Sequence, residues 1–252
     1  MTTSPRNPAV LVGCSHGTDS PDGQAAVTAL LDDVRARRPD LDVRETYVDV
    51  QHPQLPDVLA GVVEPGAPGA VGDPTAEPQD AVVVPLLLSA GFHVYVDVTE
   101  AVADHDAATA DAVRTGALGP DPRLVEILRA RLASVGLLPG DAVVLGAAGS
   151  SDARAVEAVE EVAEGLRARL EVPVTIGYGS KATPTVPEAV AAAREAGATR
   201  VVIAAYLLAP GVFLDKLADA GADVVTDALA PDPLLTDIVL DRYADGVAAL
   251  GA

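Results

Sequence analysis

All four histidines of this 252-residue chain, His16, His52, His93 and His105, fall in its first 105 positions. Imidazole is the side chain that titrates nearest neutral pH, and when neutral it is a common ligand of divalent metals. Two of the four stand just past apolar runs: His16 after VLVGCS and His93 after VVVPLLLSAGF. Such β-branched and aliphatic runs read as buried parallel strands, and open α/β sheets bind ligands beyond the carboxyl ends of their strands. Two imidazoles placed there can converge on one point, to ligate a divalent ion or to move protons. Each can also be read as a local hydrogen-bond donor. His52 precedes Pro53 and reads as exposed at a helix start, and His105, in ADHDAATAD, as solvated.

Other chemistries find no template. There is no GxxxxGK[ST] loop and no GxSxG elbow. GYGSK at 177–181 lacks the third glycine of a dinucleotide fingerprint and reads as a plain turn or as a turn offering Lys181 to an anionic substrate. Cys14 adjoins Ser15 and His16, but neighbouring strand residues point to opposite faces, so an inert buried thiol is expected. In SHGTD, Ser15 stands where a histidine phosphatase would need arginine.

The elements that must hold these residues repeat. Strands are expected at 10–13, 41–50 and 81–88, and helices at 23–38, 55–63, after the GFH turn and at 121–135. The Gly/Pro-rich stretch 64–80 reads as a flexible surface insert or a lid. From Asp141 the pattern starts again. LVGCSHGTD lies over VLGAAGSSD at an offset of about 133, placing His16 on Gly149. Pro53 falls on Pro184, His93 on Phe213, and Pro120 on Pro231. Asp49 and His52 fall on Ser180 and Thr183. The expected class is α/β: two homologous flavodoxin-like or Rossmann-like halves, 1–136 and 137–252, with parallel sheets and right-handed crossovers. A pseudo-twofold would face their carboxyl strand ends across one cleft. The first half then supplies the reactive groups and the second a degenerate wall.

Composition narrows the partners. The formal charge is −20, so nucleic acid, which needs a basic face, is not expected. An anionic ligand would need local cations or backbone N–H groups. One cysteine makes no disulfide framework, and no apolar run approaches the ~18 residues of a membrane span. A cytoplasmic protein is expected.

VGCSHGT after the first strand and PLLLSAGFHVYVDV after a later one resemble the class II chelatases, specifically the CbiX-type sirohydrochlorin chelatases, over nearly the whole chain. The resemblance implies the class II chelatase fold and a lyase that inserts Fe²⁺ or Co²⁺ into sirohydrochlorin, for sirohaem or cobalamin, without an organic cofactor. The likeness to two-half relatives tied to sirohaem supply favours iron. It matches His16 and His93 to the family's metal-binding histidines, Asp49 to an assisting acid and Asp97 to the acid after the second histidine. The flat ring would lie against Leu88, Phe92, Val94 and Phe213. Its carboxylates would seek backbone N–H groups at Gly17–Thr18 and Gly149–Ser151 (Ser150 among them), with Lys181, Arg123 and Lys216 as side-chain candidates, and Gly91 is a further substrate-binding candidate. One position departs: the family commonly has arginine after HGT, and here Asp19 follows. That departure motivates an alternative, a non-catalytic tetrapyrrole or metal-binding carrier. A monomer with an internal pseudo-dimer is expected, its partners being sirohydrochlorin and the metal ion.

Overall fold

The computed structural model describes residues 8–89, 92–103 and 110–251, with only the backbone of 92–97. The sixteen elements alternate without exception. In the first half they are β1 (Val10–Ser15), α1 (Pro21–Arg37), β2 (Val43–Tyr47), α2 (Leu55–Val63), β3 (Ala81–Pro85), α3 (Phe92–Ala103), β4 (Ala112–Arg114) and α4 (Pro122–Val135). In the second they are β5 (Asp141–Ala147), α5 (Ala153–Arg167), β6 (Val174–Tyr178), α6 (Val186–Glu195), β7 (Arg200–Tyr206), α7 (Val212–Ala218), β8 (Val224–Val225) and α8 (Pro233–Leu250). Each half forms its own four-stranded parallel sheet, in the orders β2-β1-β3-β4 and β6-β5-β7-β8. Among the described residues no helix is long and apolar enough to cross a membrane.

Local chemistry sets the boundaries. Ser20 caps α1 by accepting from the Gly23 N–H, and Pro21 opens the helix where no donor is needed. Asp121–Pro122 and Asp232–Pro233 start α4 and α8 in the same way. Thr185 and Glu188 form a reciprocal capping box on α6. Two expected strands are shorter than read. The segment 41–50 is extended only over Val43–Tyr47, because Val50 turns into the left-handed region at φ 64°. The segment 81–88 ends at Pro85, which has no N–H for a further ladder bond.

The two halves repeat in element order and strand order, but not quite in the expected register. Pro53, Pro120, Pro184 and Pro231 all follow cis peptide bonds, so both proline pairs match. Val50 and Lys181 are equivalent in turn and in φ, at 64° and 63°. At the first strand, however, Gly17 pairs with Gly149: both have φ near 90°, and a Cβ on either would strike the carbonyl of Asp49 or Ser180. Leu11 pairs with Val43 as Val143 pairs with Val174. The offset is therefore 132, and His16 falls on Ala148, not Gly149. Stacking Gly13 on Gly146 favoured the wrong register; the turn glycines carry the true one.

Packing crosses the repeat. The outer face of the first sheet is covered by its own α2 and α3, through Leu55, Leu59, Val62, Val98 and Ala101. Its inner face, with Leu11, Val82 and Val84, is covered by α1 and by α8 from the far end of the chain. Gly246 of α8 lies so close to β3 that a Cβ there would meet Val82 Cγ1 at 2.3 Å, and the Tyr243 hydroxyl donates to the Ala9 carbonyl at 2.6 Å. In exchange, α4 lies with α5 on the inner face of the second sheet, where Val125 packs on Gly165. The inner faces of both sheets and these four helices thus share one continuous core.

Candidate functional site

The first sheet runs β2-β1-β3-β4, so successive crossovers leave β1 in opposite directions and a crevice opens beyond the carboxyl ends of β1 and β3. His16 directly follows β1, and Leu86–Ser89 directly follow β3. Both line a cleft of about 530 Å³ whose far wall comes from the second half: Tyr178, Tyr206–Phe213 and the first turns of α5. The lining is mainly aliphatic and aromatic, including Val27, Leu86, Leu87, Leu88, Val156, Val159 and Phe213. The apolar lining suits a ligand with a large hydrophobic surface.

His16 is exposed in this cleft, with its main chain fixed by the Asp49 N–H, which donates to the His16 carbonyl at 3.0 Å. The Asp49 carboxylate turns back onto its own loop and accepts from the Val50 N–H at 2.7 Å. Asp49 therefore shapes the turn beside His16. Among the described residues no hydrogen bond joins its carboxylate to the imidazole. His93 belongs to the second turn-forming position of α3, but its side chain, with those of Phe92, Val94 and Asp97, lies outside the described residues, as do Gly91 and His105. Among the described residues no three His, Cys, Asp or Glu side chains cluster as a metal site.

The expected backbone donors divide. Gly17 must be glycine for the close approach to Asp49, but the Thr18 N–H is already given to Gln51 Oε1 at 2.9 Å. The Thr18 hydroxyl accepts from the Ser20 N–H, and its carbonyl accepts from Gln24. Thr18 is thus a knot tying the β1 turn to α1 and to the β2 turn. Gln51, beside the expected Asp49, went unread in the sequence because a lone glutamine in a loop carries no spacing signal. In the second half Ser150 lines the cleft, its hydroxyl accepting from the Asp152 N–H at 3.0 Å, and Ser151 lies exposed on the same turn. Arg123 is held by Asp121 and Asp241 at 2.8 and 2.7 Å and is no cleft residue. Asp19 lines the cleft at the position where the resemblance called for arginine. His52 is exposed before its cis proline. Cys14 is fully buried, and burial pushes its thiol up to about 12, so it is inert at neutral pH.

One contact across the cleft has no counterpart in the repeat. Tyr206, at the end of β7, is 2% exposed and donates its hydroxyl to the Leu88 carbonyl at 3.1 Å. Burial raises the phenol, so it stays a donor. Its equivalent in the first half is Leu86, which has nothing to donate. Where the second half bonds the Leu208 carbonyl to the Ala230 N–H, the first half has its Leu88 carbonyl tied to the other half. Leu88, three residues beyond β3, is therefore pinned by the half that carries no histidine.

The family model CbiX matches residues 10–135 and 142–246. The fold is similar to SirB from Bacillus subtilis with Fe³⁺ at a TM-score of 0.75 and 18% identity, over 95% of this chain and 96% of that one. SirB from Bacillus subtilis subspecies spizizenii in complex with cobalt superposes at 0.69 with 16% identity, over 95% of each chain. CbiX, the terminal enzyme for biosynthesis of siroheme in denitrifying bacteria, superposes at 0.65 with 18% identity, over 94% of this chain and 98% of that one. No curated protein matches.

Proposed function

The chain belongs to the CbiX family, and from that premise we propose that it inserts a divalent metal ion into sirohydrochlorin. The observation that carries this reading is the position of His16 at the β1/β3 crevice, on an apolar cleft of about 530 Å³ whose far wall is the second half. The solved relatives with Fe³⁺ and with cobalt support a first-row metal as the second substrate. Imidazole accepts either ion, so the donors themselves do not choose between them.

The chemistry asked of the site is an exchange: two pyrrole protons leave the ring and one divalent ion enters it. Aliphatic walls from Leu86–Leu88 and Leu207–Pro210 would hold the macrocycle by burying its faces and excluding water around its central nitrogens. His16 and His93, neutral, would either hold the incoming ion through their free ring nitrogens or, with those nitrogens free of metal, accept the departing protons as positioned general bases do. Asp49 contributes by fixing the turn that carries His16, so its contribution is to geometry. The Tyr206 hydroxyl does the same for Leu88, ahead of His93 in the chain.

The test is metal insertion followed by the absorbance of sirohydrochlorin, with Fe²⁺ or Co²⁺ added anaerobically to the purified protein. Faster insertion than in free solution, lost in His16→Ala and His93→Ala, is the expected result. Unchanged rates in both variants would overturn the assignment. Tight binding of sirohydrochlorin with no insertion of either ion would make the chain a tetrapyrrole carrier instead, a reading favoured by Asp19 in the arginine position.

A further inference from the structure

A substrate carrying many carboxylates poses a problem for this cleft, whose described lining contains no lysine or arginine and one fixed charge, Asp19. The arginines do not solve it. Arg154, at the start of α5 beside the cleft, is held by Asp152 at 2.8 Å. Arg37, Arg131 and Arg200 are likewise engaged by Asp237, Asp232 and Asp141.

The chain has only two lysines, Lys181 and Lys216. Neither forms an ion pair among the described residues, and both are exposed. The Phe213 ring neighbours both segments that carry them. Lys216 Nζ lies 5.0 Å from the centre of the Phe213 ring, a cation–π geometry that keeps the ammonium beside a ring lining the cleft. The same ring packs on Gly179, where a Cβ would come within 3.0 Å of Phe213 Cδ1. Lys181 follows two residues later, in the left-handed turn equivalent to the cleft-lining Val50. Glycine at 179 lets the aromatic ring close against the turn that bears Lys181.

We propose that Lys216, stacked on Phe213, and Lys181, on the turn whose Gly179 packs against the same ring, form a carboxylate-binding edge on the histidine-free half, which grips the acid side chains of a polycarboxylate macrocycle while its face meets the first half. The division of labour follows: one half delivers the metal, the other fixes the ring's rotation in the cleft. In a protein of charge −20, two unpaired cations on that edge also give an anionic ligand a local point of entry against the general field.

The inference rests on the tetrapyrrole reading, and its test separates the two. Wild-type protein, Lys181→Ala/Lys216→Ala and Lys181→Arg/Lys216→Arg are titrated with metal-free sirohydrochlorin and with its methyl ester. Wild type is expected to bind the acid, the alanine pair to bind it at least about tenfold more weakly with a flatter salt dependence, and the arginine pair to regain most of the loss. The ester should bind all three alike. An alanine pair that binds the acid as tightly as wild type overturns the carboxylate edge and leaves the chelatase reading standing. Wild type that binds neither ligand overturns the tetrapyrrole reading itself.

Discussion

Replacing Tyr206 by Phe removes one hydroxyl and nothing else, and so isolates the tie between the two halves at the cleft. The hydroxyl is buried and its partner is the Leu88 carbonyl at 3.1 Å. A net hydrogen bond is worth about 1 kcal/mol, and an acceptor left partly unpaired adds to the loss, so about 1–2 kcal/mol is expected. For a chain of this size that lowers Tm by roughly 3–6 °C, readable by calorimetry. The catalytic consequence is sharper. If the bond holds the segment before His93 in its working position, releasing it should cost about 1 kcal/mol at the transition state, about fivefold in kcat, with KM for sirohydrochlorin unchanged. Gly119→Ala attacks the same junction from the other side, because its Cβ would lie 2.4 Å from the Leu88 oxygen and 2.7 Å from the Tyr206 hydroxyl. It should lower kcat further. Tyr206→Phe with reduced Tm and wild-type kcat would refute the positioning argument, and unchanged values of both would refute the bond.

Other consequences are open to measurement. Cys14 should resist thiol reagents at pH 8 in the native protein and react only on unfolding. Its folded pKa is raised, so its contribution to stability is intact below the ordinary thiol value near 9 and is lost as pH climbs toward about 12, which urea titrations across that range would record. Gly246→Ala should destabilise the protein by about 1–3 kcal/mol in chemical denaturation, since the added methyl must displace the stiff Val82 side chain. Gln51→Ala frees the Thr18 N–H at the β1 turn; it should slow metal insertion severalfold through misplacement of His16, with a Tm loss of only a few degrees.

The alternation of elements was legible because each one carries its own signal: β-branched runs for β3 and β7, Asp-Pro or Ser-Pro starts for α1, α4 and α8. The duplication was legible too, and the prolines and the His93/Phe213 pair were placed correctly from spacing alone. The register at β1 was not. Glycines recur inside strands and in turns, and only backbone conformation shows that Gly17, not Gly13, is the position the fold must keep. The place of His16 beyond the end of β1 was readable, because an apolar β-branched run leads directly up to it. Gln51 and Tyr206 were not, since each acts through a main-chain partner far along the sequence. Nor was the exchange of α4 and α8, because amphipathic helices advertise a buried face and not the sheet that buries it.

That exchange has a consequence for how the chain is made. Translation delivers β1 to β4 early, and ribosomes add only about 5–20 residues per second. The inner face of the first sheet, with Leu11, Val82 and Val84, has its α8 cover only once residues 233–250 have emerged. Until then the histidine-bearing half is an apolar sheet with one side partly open. A nascent chain therefore carries an open apolar face on the sheet that bears His16 until α8 packs, and the first half depends on the second to finish its own core.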